Sequence, residues 1–212
     1  MFLYRFLWFL VWLPLRIFAP TIVKGKKNLP KNQKAIMACN HQSNWDPILI
    51  DSYLWHNPYI LAKHTLFKTK FSNSFFHSIG GIPVNRKEVG VSTIKEVFKL
   101  LNDEKKLLIF PQGTRVERLN QGDSVKNGLA MFAIKTRSPI VPMWFMKKPG
   151  LFRINKLVIG EPFYLTEFEG QKLTKEVLSK ASDIIIQKML EVRNNELARK
   201  SKQKQIIEVK PK

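Results

Sequence analysis

The sequence predicts an α/β fold: a mixed, largely parallel central sheet flanked by helices. Short apolar runs of four to seven residues alternate with segments of helical period, the pattern of strands joined by helices. The polar signatures "NHQSNWD", "VNR" and "PQGTR" each fall at the end of such a run. In an open α/β sheet, side chains at the carboxyl ends of strands converge on one ligand site. At 212 residues, with 44% hydrophobic residues, the chain can bury one sizeable core and is short for two.

The elements follow in order. "AIMACN" reads as a buried strand, followed by the loop "HQSNWDP" and a short helix from Pro47, for which Asp46 is an N-cap candidate. "YILAK" is a second strand, "LFKTKFSNSFFHSIG" a helical stretch and "GIPVNR" a third strand. "VGVSTIKEVFKLLNDEKK" is an amphipathic helix with Val91, Ile94, Val97, Phe98 and Leu101 on one face. "KLLIFPQGTR" is a strand entering a glycine turn, residues 126–137 a helix, and "PIVPMWF" and "RINKLVIG" two more strands. A long helix from about Lys172 to Arg199 precedes a tail, 200–212, expected to fray. Lys24 through Lys34 form a basic linker before the first strand.

The amino terminus differs in kind. "MFLYRFLWFLVWLPLRIFAP" is aromatic and aliphatic, but Arg5, Arg16 and Pro14 interrupt it. The apolar stretch between the arginines is well short of the ~20 residues that span a bilayer, and "RIFAPTIVKGKK" offers a poor signal cleavage site. At about 100° per residue Arg5, Trp8, Trp12 and Arg16 share one stripe, while Phe2, Phe6, Phe9 and Leu13 lie elsewhere. That pattern predicts a helix lying in the membrane interface rather than a core helix. The expected organisation is a membrane-attachment helix over 1–20, a domain over 21–199 and a basic tail.

Thirty-six Lys and Arg against 16 Asp and Glu give a net charge of +20, which attracts nucleic acid, anionic headgroups or an acidic protein. Zinc-finger spacing and the aromatic signature of RNA-recognition domains are both missing, so a nucleic-acid partner is not expected. The single cysteine excludes an intramolecular disulfide.

Three constellations carry chemistry. His41 and Asp46 are separated by four residues. A hydroxyl attacking an acyl carbonyl must lose its proton, a task for neutral imidazole, and a carboxylate on the other ring nitrogen fixes the tautomer. The alternative is a capping Asp46 beside an incidental histidine. Arg86, Arg115 and Lys63 lie at strand ends, where converging cations suit a phosphate; otherwise they are part of a solvated basic face. Pro111 and Gly113 in "FPQGTR" imply a tight turn exposing backbone amides to a phosphate or oxyanion. A Cys39–His41 nucleophile pair competes with a buried, inert thiol. A metal held by His41, Asp46 and Asp51 lacks a further ligand at recognised spacing, and none is expected.

In order, these blocks resemble the glycerolipid acyltransferase family typified by bacterial lysophosphatidate acyltransferases. The resemblance covers residues 22–165. It rests on "NHQSNWD", "GGIPVNR", "FPQGTR" and "PIVPMWF", with "AKHTLFK" and "VKNGLAMFAIKTRSPIVP" as connecting segments. It implies His41 as catalytic base with Asp46 as partner, Arg86 on the acceptor phosphate, and Gly113, Thr114 and Arg115 lining the acceptor site. Lys63 is implied as a second phosphate contact, and Val141 and Pro142 as an apolar wall. The implied reaction is acyl transfer to the hydroxyl of lysophosphatidate in phospholipid biosynthesis. No cofactor is implied beyond an acyl-ACP, acyl-CoA or acyl-phosphate co-substrate, and acyl carrier protein is one candidate partner. The implied location is the cytoplasmic side of the cell membrane, attached to its anionic surface.

Four positions depart from the family pattern. Gln112 replaces an acidic residue, Pro83 stands near a usual aromatic, Asn85 replaces a common acid, and Arg137 occupies a turn position where glycine is favoured. Gln112 raises a second reading, in which the protein acts on another lysolipid or is an impaired relative serving as a membrane scaffold.

Overall fold

The computed structural model describes residues 10, 12–54, 58–85, 89–115 and 127–209. A helix, α1, is seen over residues 12–18. Then come β1 (Thr21–Lys24), β2 (Ala35–Cys39), α2 (Trp45–Leu54), β3 (Tyr59–Lys63), α3 (Lys70–Ser78), β4 (Gly81–Val84) and α4 (Val91–Asn102). They are followed by β5 (Lys106–Ile109), α5 (Gly128–Thr136), β6 (Ile140–Phe145), β7 (Asn155–Ile159) and α6 (Lys175–Val209).

Among the described residues seven strands form one sheet in the order β1-β7-β6-β2-β5-β3-β4. Five of them, β6 to β4 in that order, run parallel. At β7 the direction reverses: it pairs antiparallel with β6, and β1 pairs parallel with β7. The expected mixed, largely parallel sheet is therefore present.

Alternation along β2 separates the two cores. Ile36 and Ala38 face one cluster, with Val97, Leu101, Phe132, Ile185 and Met189 from α4, α5 and α6. Ala35, Met37 and Cys39 face the other, with Leu49, Ile50 and Tyr53 from α2 and with Leu15 and Ala19 from α1 and its end.

Several expectations shift. β1 stands just ahead of the basic linker, sharing only Lys24 with it, where no strand is expected. Its four residues, TIVK, are too few to establish a period, and the strand is stabilised by a β7 far away in sequence. On α4, Val91 is exposed, while Leu100 joins Val97 and Leu101 in the core. α6 continues to Val209, so the stretch 200–209, expected to fray, is helical. The helix starts at Lys175, preceded by Thr174, whose hydroxyl accepts from the Val177 amide. The interfacial stripe can be followed at Trp12 and Arg16; Arg5 and Trp8 lie outside the described residues. The Arg16 guanidinium sits 5.1 Å from the Trp12 ring centre and 4.1 Å from that of Tyr53.

Candidate functional site

β2 ends at Cys39, and Asn40 continues the ladder with its side chain. Its Oδ1 accepts from the Phe145 amide at 2.7 Å, and its Nδ2 donates to the Phe145 carbonyl at 3.2 Å. This joins the ends of β2 and β6 and frees the backbone to turn. Sequence reasoning passes over Asn40. The available signal is an amide side chain at the last position of a buried strand, where the ladder's donor and acceptor both need replacement.

The turn that follows is organised around Asp46, which is fully buried. Its Oδ2 accepts from the Gln42 amide at 2.6 Å and the Ser43 amide at 2.8 Å, and lies 2.7 Å from His41 Nδ1. An oxygen receiving two amide N–H groups acts as an acceptor, so the third contact requires the proton on Nδ1. The neutral imidazole then carries its lone pair on Nε2. α2 begins at Trp45, so Asp46 lies inside its first turn and its carboxylate serves the preceding loop. Phe110 stacks on the imidazole at 4.1 Å between ring centres and 21° between planes. His41 is itself 7% exposed.

The "FPQGTR" turn meets this loop from β5. Gly113 N–H donates to the Phe110 carbonyl at 2.9 Å, closing a four-residue turn with Pro111 in second place. Gly113 has φ +66°, a conformation that favours glycine. Gln112 Oε1 accepts from the His41 amide at 3.3 Å. A backbone N–H can only donate, so the flip of the side chain is fixed and Nε2 is the other atom. That Nε2 is buried and has no hydrogen-bond partner. Arg115 Nη1 donates to Asn44 Oδ1 at 3.0 Å, drawing a cation onto the histidine loop. Thr114 is exposed beside it.

The remaining expected residues divide. Lys63 ends β3, in register with Val84, and is exposed at the same end of the sheet. Arg86 lies outside the described residues; β4 and Asn85 lead to it. Val141 and Pro142 are buried in β6. Cys39 is buried, and burial together with the Asp46 charge pushes its thiol well above the ordinary value of 9.0. Among the described residues, no three His, Cys, Asp or Glu side chains group as a metal site.

A family model described as Acyltransferase matches residues 21–146. The chain belongs to the acyltransferase family. The match to this acyltransferase family runs from β1 to just past β6, so it contains both turns that build the site. The 1-acyl-sn-glycerol-3-phosphate acyltransferase of Bacillus subtilis (strain 168) is 32% identical over 178 residues, 81% of this chain and 87% of the relative. The protein of the same description from Borreliella burgdorferi is 36% identical over 128 residues, 58% of this chain and 49% of its own length. The crystal structure of the acyltransferase PlsC from Thermotoga maritima shares the fold. Its TM-score is 0.62 at 24% identity, over 82% of this chain and 73% of that one.

Proposed function

We propose that the protein transfers a fatty acyl group from an activated donor to the free hydroxyl of lysophosphatidate, giving phosphatidate at a membrane surface. The observation that carries the mechanism is the 2.7 Å contact between His41 Nδ1 and an Asp46 oxygen already receiving two amide N–H groups. It leaves Nε2 free to take the hydroxyl proton as the oxygen attacks the acyl carbonyl. The new C–O bond forms, the bond from the carbonyl carbon to the donor's thiolate or phosphate breaks, and the imidazolium returns its proton to that leaving group. Asp46 stabilises the imidazolium in between. Backbone amides near Gly113, other than Gly113's own, which bonds the Phe110 carbonyl, would stabilise the oxyanion. Arg115, Arg86 and Lys63 bind the acceptor phosphate, which the place of Lys63 at the end of β3 and of Arg115 on the histidine loop supports.

Membrane attachment belongs to the same reading. Among the described residues no helix is long and apolar enough to cross a membrane. α1 instead docks Leu15 into the core and leaves Leu13 and Ile17 at 57% and 63% exposure, with Leu10 ahead of it at 59%, an outward apolar stripe suited to the interface of a bilayer. With the positive charge of the chain, this favours the anionic cytoplasmic leaflet.

The test is His41→Ala, assayed with lysophosphatidate and separate acyl-carrier-protein, coenzyme A and acyl-phosphate donors by product mass. Transfer is expected to fall by at least the ~10²–10⁴ that a general base contributes, with vesicle binding intact. Unchanged turnover would sink the mechanism. Arg86→Ala is expected to raise the acceptor KM while leaving the donor KM alone, and a pure donor defect would contradict the phosphate role.

A further inference from the structure

The loop between β6 and β7 carries exposed apolar residues that the acyltransferase chemistry does not use. Phe152 is 81% exposed and Ile154 70% exposed. Phe152 also has φ +56°, a left-handed conformation in which an aromatic residue is strained. An aromatic residue that is both strained and in water contributes little to folding, which points to a role outside the fold. Yet the loop is firmly built. Asn155 accepts from the Gly150 amide and donates to the Gly150 carbonyl, both at 3.0 Å. The Phe152 amide donates to the Phe18 carbonyl, and the Asn155 amide to the Pro20 carbonyl.

These bonds weld the loop to the end of α1. The Phe18 and Phe152 rings meet edge to face at 5.5 Å, and Phe18 is itself 45% exposed. Phe152 and Ile154 thus extend the stripe of Leu13 and Ile17 into one apolar platform built from two elements distant in sequence. Lys147, Lys148 and Arg153 of the same loop are exposed around it. An apolar patch with a cationic rim is complementary to an anionic bilayer, whose interface takes the rings and whose headgroups take the charges.

The topology fixes where the platform lies. β6 runs parallel to β2, so the loop leaves the sheet at the end where His41 sits. β1 and β7 run the other way, in register from Thr21 and Asn155, so α1 arrives at that end too. We propose that the β6–β7 loop is a second membrane-inserting element, placing Phe152 and Ile154 in the interface of an anionic bilayer beside α1 and so seating the mouth of the site on the lipid surface. This rests on the membrane reading above, but not on the chemistry of transfer.

The experiment is co-sedimentation of the full chain with vesicles of phosphatidylcholine containing phosphatidylglycerol, and with phosphatidylcholine alone. The variants are Phe152→Gly/Ile154→Ser and Lys147→Glu/Lys148→Glu. Glycine accepts the positive φ, so the first variant should keep its melting temperature within about 4 °C while its partition coefficient falls by about 10-fold or more. The second should bind the anionic vesicles more weakly than the parent chain, with a shallower dependence on salt and unchanged binding to phosphatidylcholine alone. If the parent chain binds anionic vesicles and the folded Phe152→Gly/Ile154→Ser variant binds equally well, the loop is not an anchor. If the parent binds no vesicle at all, both the loop and the membrane reading fail. A variant that changes only concentration-dependent self-association would assign the platform to a second copy of the chain and overturn the proposal.

Discussion

Cys39 stands two residues before His41 on the same extended segment, and the fold makes its sulfur inert. Its side chain faces the α2 core rather than the mouth of the site, and both burial and the Asp46 charge disfavour a thiolate. With the thiol raised above its ordinary value, native protein at about pH 8 should resist alkylation, while chain unfolded in guanidinium should react fully. Mass spectrometry of the two samples checks this, and fast native labelling would reopen a cysteine mechanism. The His41–Asp46 pair was legible because its chemistry is local: the six consecutive residues from His41 to Asp46 hold both groups and both amides. Asn40 and Phe110 were not, since a ladder-continuing amide and a ring stacked on imidazole acquire meaning only when β6 and β5 lie alongside. Gln112 falls between. Its departure from an acidic residue is visible in sequence, but not its hold on the His41 amide, which a glutamate could keep, nor its free Nε2, which a glutamate could not supply.

Arg137 ends α5 with φ +49°, which explains in backbone terms why the family favours glycine at this turn. Its side chain reaches Glu169 at 3.1 Å, but the arginine side chain is 77% exposed, so the ion pair contributes little. Arg137→Gly should therefore stabilise the fold by about 0.5–1 kcal/mol, the relief of a left-handed strain less a weak surface pair. Denaturant unfolding measures it, and a lower midpoint would mean that the pair outweighs the strain. Packing of α6 depends on the opposite use of glycine. A Cβ on Gly160 would run into Val192 Cγ2 and lie 2.9 Å from Pro142 Cγ, so α6 packs onto the residue that follows β7 because no side chain intervenes there. The same helix offers Glu196, 5% exposed, to Lys24 of β1, Lys156 of β7 and its own Arg199. That cluster ties down the two reversed strands. Strand periods and the α4 pattern gave most elements their places, whereas β1 escaped because four residues beside a glycine acquire a strand's identity from a partner 134 positions away.

For the whole molecule, the positive charge of +20 and the outward stripe of α1 act together, and the charge part weakens as salt rises. Layer architecture could be foreseen because alternating strands and helices admit few packings. The reversal at β7 could not, since nothing in "RINKLVIG" records the direction of its neighbours. Yet that reversal delivers the amino-terminal helix to the carboxyl ends of the parallel strands. A catalyst whose mouth opens onto a film works in two dimensions, and what it senses is crowding within the film rather than molarity. Acyl transfer should therefore slow when lysophosphatidate is diluted with inert lipid at constant bulk concentration, and recover when its mole fraction is restored. A rate that follows bulk concentration alone would mean that the acceptor first leaves the film.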